Sequence, residues 1–211
     1  MTTSSTFTRG MPLHARVYDL VCGHMENIGL LQWRKALVGD LTGTIVEIGC
    51  GTGKNLPLYG PEATVFASDF DPVMLQRAVI RAEESLAEVH LFVADAMRLP
   101  VPDDSVDTLV VGLMFCSVPN PDLAIAEVKR VLRPGGALRF VEHVRDAEGT
   151  LRARVQDVVN PAWKLVSGGC NANRRTAERI EGHGFNIENL YRFQLGHTHI
   201  APHVMVEARL D

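Results

Sequence analysis

The stretch Thr44-Ile45-Val46-Glu47-Ile48-Gly49-Cys50-Gly51-Thr52-Gly53 decides the fold of this chain. A short run rich in β-branched residues ends in three glycines at alternate positions. Such runs favour a strand, and the glycines allow a tight turn in which backbone amides approach a ligand with no Cβ in the way. Spacing then discriminates among ligands. A P-loop needs a glycine, four residues, then Gly-Lys-Ser/Thr; here Asn55 follows Gly53-Lys54, and Ile48 stands five before Gly53. A dinucleotide fingerprint needs G-x-G-x-x-G, and the third glycine here arrives one residue early.

Outward from this loop the pattern alternates between strand and helix. Thr64 to Ser68 reads as a second strand closed by Asp69, placed where a carboxylate can accept the hydroxyls of a ribose. Pro72 opens a helix through Ala82. Val89 to Val93 is a third strand, and Asp95-Ala96 at its end offers a polar side chain and an amide to an adenine edge. Asp107 to Leu113 is nearly all apolar, as a central strand buried on both faces should be. A helix from Asp122 to Leu132, closed by Arg133-Pro134-Gly135-Gly136, precedes a fifth strand from Ala137 to Glu142.

The tail breaks the rhythm. Helical patterns cover Leu151 to Val166 and Arg174 to Gly182, then Asn186 to Phe193 and His203 to Leu210 read as two strands that pair antiparallel. At the other end, Met1 to Arg9 is Ser/Thr-rich and reads as disordered. Ala15 to Val38 reads as two helices with a bend at the glycines Gly23 and Gly29. The expectation is a Rossmann-like α/β fold: a seven-stranded, mostly parallel sheet with an antiparallel last strand and helices on both faces. It forms one structural domain, with residues 1–40 as a helical segment over the ligand site and 41–211 as the main body.

Composition narrows the partners. The 211 residues are 46% hydrophobic and 22% charged with a net charge of −4, ordinary for a globular chain and without the basic field that nucleic acid attracts. No secretory signal or membrane-spanning stretch is visible, so a cytoplasmic protein is expected. Cys22, Cys50, Cys116 and Cys170 form no CxxC pair, which argues against a disulfide framework or a patterned metal site.

The strings EIGCGTGKN, SDFDP, DAMRLPVPDDSVDTLV and EVKRVLRPGGAL, at residues 47–55, 68–72, 95–110 and 127–138, resemble class I S-adenosylmethionine (SAM)-dependent methyltransferases of the methyltransferase domain 11 type. VYDLVCG at 17–23 with the glycine loop also resembles bacterial phosphatidylethanolamine and quinone methyltransferases. Phe115-Cys116-Ser117-Val118, Val141-Glu142-His143-Val144, Asn160-Pro161-Ala162-Trp163 and Gly169-Cys170-Asn171 with Arg174 are most similar to the alkyl thiol methyltransferase (methyltransferase-like 7) group. Animal members of that group carry an apolar N-terminal membrane segment, which this sequence lacks, so membrane attachment is not carried over. The resemblance implies SAM as cofactor. It sets Gly49, Cys50, Gly51 and Gly53 around the methionyl part, Glu47 and Asn55 among the cofactor-binding residues, and Asp69 on the ribose. Phe70 would lie beside the adenine, Asp95, Ala96 and Met97 at its edge, Leu113 at the reactive end, and Tyr18 as a lid.

Methyl transfer is an in-line displacement at an already activated carbon, so alignment is the main task, and orientation lowers such barriers by roughly 7–11 kcal/mol. A base is needed only where the acceptor starts protonated. His143 is the candidate base. Cys116, Trp163, Cys170, Arg174, His197 and His199 are candidates for the acceptor pocket. His197, His199 and His203 have no companion carboxylate nearby in sequence, and no metal is expected there. A thiol is the leading small-molecule acceptor, with a phospholipid amine or a quinone precursor as rival. A SAM-binding protein without turnover and a nicotinamide oxidoreductase are the readings from other classes.

Overall fold

The computed structural model describes residues 25–167, 169–198 and 200–210. The start expected to be disordered, the first of the two expected N-terminal helices, Tyr18 and His199 lie outside the described residues. A π-type turn, Glu26–Leu30, leads into α1 (Leu31–Val38), and Gly29 at φ 122° makes the expected bend between them.

The alternation follows as read: β1 (Gly43–Ile48), β2 (Ala63–Asp69), α2 (Pro72–Glu83), β3 (Glu88–Val93), β4 (Val106–Gly112), α3 (Pro121–Val131) and β5 (Leu132–His143). Asp71 caps α2 by accepting from the Val73 amide at 2.8 Å, with Pro72 in the first turn; Asn120 caps α3 through the amides of Asp122 and Leu123. The remaining elements are α4 (Leu151–Val166), α5 (Thr176–Gly182), β6 (Phe185–Gln194) and β7 (Pro202–Leu210).

The seven strands run in the order β3-β2-β1-β4-β5-β7-β6, and β7 is antiparallel to both of its neighbours. Two boundaries depart from the sequence reading. The strand expected from Ala137 starts at Leu132, which pairs with Val106 ahead of a register shift, so the Arg133–Gly136 turn lies within its span. The helix expected from Arg174 starts at Thr176, because Arg174 lies in the preceding loop with its guanidinium bonded to backbone carbonyls.

Side chains alternate across the sheet. Val46, Ile48, Leu109, Val111 and Phe140 pack with Ile125 and Val128 of α3 on one face. Ile45, Val65, Ala67, Val110 and Val141 pack with Leu37 of α1 and Leu75 and Ala78 of α2 on the other. The strand order reverses direction between β1 and β4, and in such sheets the ligand crevice lies outside the carboxyl ends at that switch point. Both loops that leave those ends carry unusual backbone.

Candidate active site

After β1, Gly49, Gly51 and Gly53 all have positive φ, at 69°, 57° and 79°. Their lack of side chains is also used for packing. A Cβ on Gly49 would stand 2.7 and 2.8 Å from Met114 Cγ and Cβ, so the loop after β4 closes directly on the glycine turn. Next to Met114, Leu113 has φ 61°, a left-handed conformation that costs a non-glycine residue about 1–2 kcal/mol, and its amide donates to the Val141 carbonyl at 2.8 Å. The expected reactive-end residue therefore sits on a bent chain tied to β5.

Asp69 ends β2 and is 8% exposed. One carboxylate oxygen accepts from the Gly51 amide and the other from the Asp71 amide, each at 2.9 Å. Burial pushes its carboxyl above the usual range, opposed by these two amides. Phe70 beside it is 78% exposed. At the end of β3, Asp95 accepts from the Met97 amide at 2.9 Å, which closes a turn holding Ala96 and Met97 half-buried. The strand-end residues read from the sequence thus line one edge of the sheet.

Glu47 and Asn55 have a different surrounding. Glu47 is 1% exposed and points to the α1 face, where Asn55 Nδ2 and the Tyr59 hydroxyl each donate to it at 2.8 Å. Asn55 Oδ1 accepts from Arg34 of α1 at 2.8 Å, and Glu26 pairs with both Arg34 and Lys54. The chain Glu26-Arg34-Asn55-Glu47-Tyr59 braces the glycine turn from behind. Arg34 and Tyr59 were not singled out in the sequence; the signal was that a buried carboxylate needs donors. Cys50 is buried in the same turn and its thiol is raised first by burial.

A second group gathers past β4 and β5. Glu142, fully buried, accepts from the amides of Phe115 at 2.6 Å and Cys116 at 3.1 Å, which shapes the loop after β4. Burial pushes its carboxyl up to about 7. His143 Nδ1 lies 3.9 Å from Cys116 Sγ and 3.6 Å from Cys170 Sγ. All three are buried. The interaction between the two sulfurs holds the Cys170 thiol well below its ordinary value and the Cys116 thiol above it, and the imidazole adds to the depression at Cys170. His143 Nε2 has no hydrogen-bond partner among the described residues.

The other expected pocket residues divide. Trp163 interacts with Cys170 and helps hold its thiol low. Arg174 is a brace, its guanidinium donating to the carbonyls of Phe115 and Val118. His197 is exposed on a surface hollow with Leu151 and Val155, apart from the cysteine pair. His203 is buried in β7; its Nδ1 bonds the Ala201 carbonyl at 2.8 Å, burial depresses it to about 3, and its ring lies 4.3 Å from that of His143.

A family model described as a methyltransferase domain matches residues 46–140. The chain is 35% identical over 166 residues to thiol S-methyltransferase TMT1A of Homo sapiens, covering 76% of this chain and 68% of that protein. It is 32% identical to demethylmenaquinone methyltransferase of Thermus thermophilus, over 78% of this chain and 80% of the relative. Among solved structures, a SAM-dependent methyltransferase of Thermotoga maritima, described as a possible histamine N-methyltransferase, matches with a TM-score of 0.68 at 20% identity, over 94% and 96% of the two chains. The solved structure shows the fold and the two relatives show the family: this chain belongs to the SAM-dependent methyltransferases.

Proposed function

We propose that this enzyme methylates a small-molecule thiol, and that the Cys116-His143-Cys170 cluster is the place where the acceptor sulfur is made reactive. The observation that carries the reading is a buried imidazole whose Nδ1 lies 3.6 and 3.9 Å from two cysteine sulfurs, one of them 3.5 Å from the Leu113 carbonyl. Thiols react as thiolates, and a free thiol has a pKa of about 8.5, so a site that favours a sulfur anion raises the reactive fraction at neutral pH. The similarity to a thiol S-methyltransferase over three quarters of the chain supports the same acceptor class.

The residues at the sheet edge suit SAM. The positive-φ glycines leave room for a ligand to approach the turn where a side chain would block it. Asp69 keeps free lone pairs beyond those its two amide donors use. The exposed Phe70 offers a flat face for an adenine, and Asp95 to Met97 its edge. When bound, SAM supplies a methyl group activated by its sulfonium. Leu113 and Met114 would border that end and exclude water, and residues 1–40 would cap the cleft. No helix among the described residues is long and apolar enough to cross a membrane, and we place the enzyme in the cytoplasm.

His143→Ala tests the role of the cluster. Turnover of a thiol should fall more at low pH than at high pH, where the acceptor ionises unaided. A loss of equal size across the pH range contradicts the role.

A further inference from the structure

We propose that Cys116, His143 and Cys170 form a three-ligand site for a zinc-type divalent cation, with a fourth position open to the sulfur of the acceptor. The proposal rests on the thiol reading above and deepens it. Its basis is geometric. One sulfur-bearing side chain comes from the loop after β4, one from the segment after α4, and the imidazole from the end of β5, and their ligand atoms all lie within 4.8 Å of one another. In a tetrahedral zinc centre, with Zn–S about 2.3 Å and Zn–N about 2.0–2.1 Å, sulfur and nitrogen ligands stand roughly 3.6 Å apart. The two distances here are 3.6 and 3.9 Å.

The three ligands are held by bonds that do not involve their own donor atoms. Asn171, next to Cys170, donates to the Cys116 carbonyl through its amide at 2.8 Å and its side chain at 3.0 Å. Gln156 of α4 donates to the carbonyls of Val144 and Ala172, neighbours of His143 and Asn171, at 3.0 and 2.9 Å. Glu142 fixes the Cys116 amide. Such support orients ligands for a metal. A Cys₂His set of soft donors selects zinc over magnesium or calcium, and three protein ligands leave the open position that catalytic zinc sites keep. With Nδ1 bound to the cation, the ring hydrogen resides on Nε2, the atom without a partner among the described residues.

The chemistry balances. Binding the cation displaces the protons of the two cysteine thiols to solvent, and a thiol entering the fourth position forms a sulfur–metal bond and loses its proton to solvent as well. A free electron pair on that sulfur then forms the new carbon–sulfur bond, while the methyl–sulfonium bond breaks with its electrons to the SAM sulfur. The neutral thioether is a weaker ligand and leaves. The metal keeps its oxidation state throughout.

Cobalt(II) titration of the metal-free full-length protein, kept reduced with a phosphine, is the test. The expected result is one equivalent bound, with tetrahedral d–d absorption and thiolate-to-cobalt charge transfer. Cys116→Ser, Cys170→Ser and His143→Ala should each weaken binding by more than the roughly 10–100-fold that changes outside the ligand set cost. Thermal unfolding and SAM affinity of each variant report whether it has folded. Adding 2-mercaptoethanol should strengthen the charge-transfer band as a third sulfur joins. Failure of the wild type to bind one equivalent overturns the site, as does a spectrum unchanged in folded variants. A bound metal blind to the thiol overturns the open position. Absence of thiol turnover with the spectral response intact rejects the proposed acceptor and not the site.

Discussion

Asp69 is the residue on which cofactor affinity should depend most sharply. Its two carboxylate oxygens already hold the glycine turn and the start of α2 through the Gly51 and Asp71 amides. Hydrogen bonds to a charged group contribute about 1.5–3 kcal/mol each, so Asp69→Ala should weaken SAM binding at least tenfold by calorimetry; near-normal affinity contradicts its place on the ribose. Glu47 makes a different contribution. Burial raises its carboxyl above the usual range despite the donors Tyr59 and Asn55. The folded state therefore holds a proton that the unfolded state releases, and stability falls as pH rises above about 4.5, the unfolded value. Denaturant titrations of Glu47→Gln at a series of pH values should show a penalty that shrinks with rising pH. A constant penalty would mean the carboxyl is already ionised at the low end.

At the scale of elements, the glycine turn and α2 are fitted to each other. A Cβ on Gly53 would stand 2.8 Å from Leu56 Cδ1 and 2.9 Å from the Ala78 backbone, at a φ of 79°. Left-handed strain and overpacking together should make Gly53→Ala cost about 2–4 kcal/mol in chemical unfolding, with SAM affinity reduced as well; a neutral change contradicts the packing. These elements were legible in the sequence because strand runs, caps and glycines act locally. Thr44 to Ile48 and Pro72 announce themselves without reference to the rest of the chain. The start of β5 was not legible, since Leu132 is recruited by Val106 across the sheet and over a Pro-Gly-Gly turn that reads as an end. Arg174 reads as helical by its neighbours, yet its side chain is committed to Phe115 and Val118. The cysteine–histidine cluster has no local signature either: His143 stands 27 positions from Cys116 and 27 from Cys170. Ties made by Asn171, Gln156 and Glu142 help bring them together.

Across the whole molecule, the sheet order sets two groups side by side. The reversal between β1 and β4 aligns the glycine turn, Asp69 and Asp95 along one strand-end edge, while β5 and β7 bring His143 and His203 to its flank. A run of rings joins that flank to the N-terminal segment: Trp33 stacks on Phe193 at 4.0 Å, Phe193 on His203 at 5.3 Å, and His203 lies 4.3 Å from His143. The cofactor class was legible from the first half of the chain, whereas the acceptor depends on the tail folding back. Acceptor choice is therefore the property that most directly examines the account. Release of S-adenosylhomocysteine should be measured with purified enzyme and SAM across alkyl thiols, amines, phenols, a quinone precursor and phosphatidylethanolamine vesicles. Turnover with alkyl thiols should stand well above every other class, and turnover confined to the amine, the quinone precursor or the vesicles would contradict a thiol acceptor.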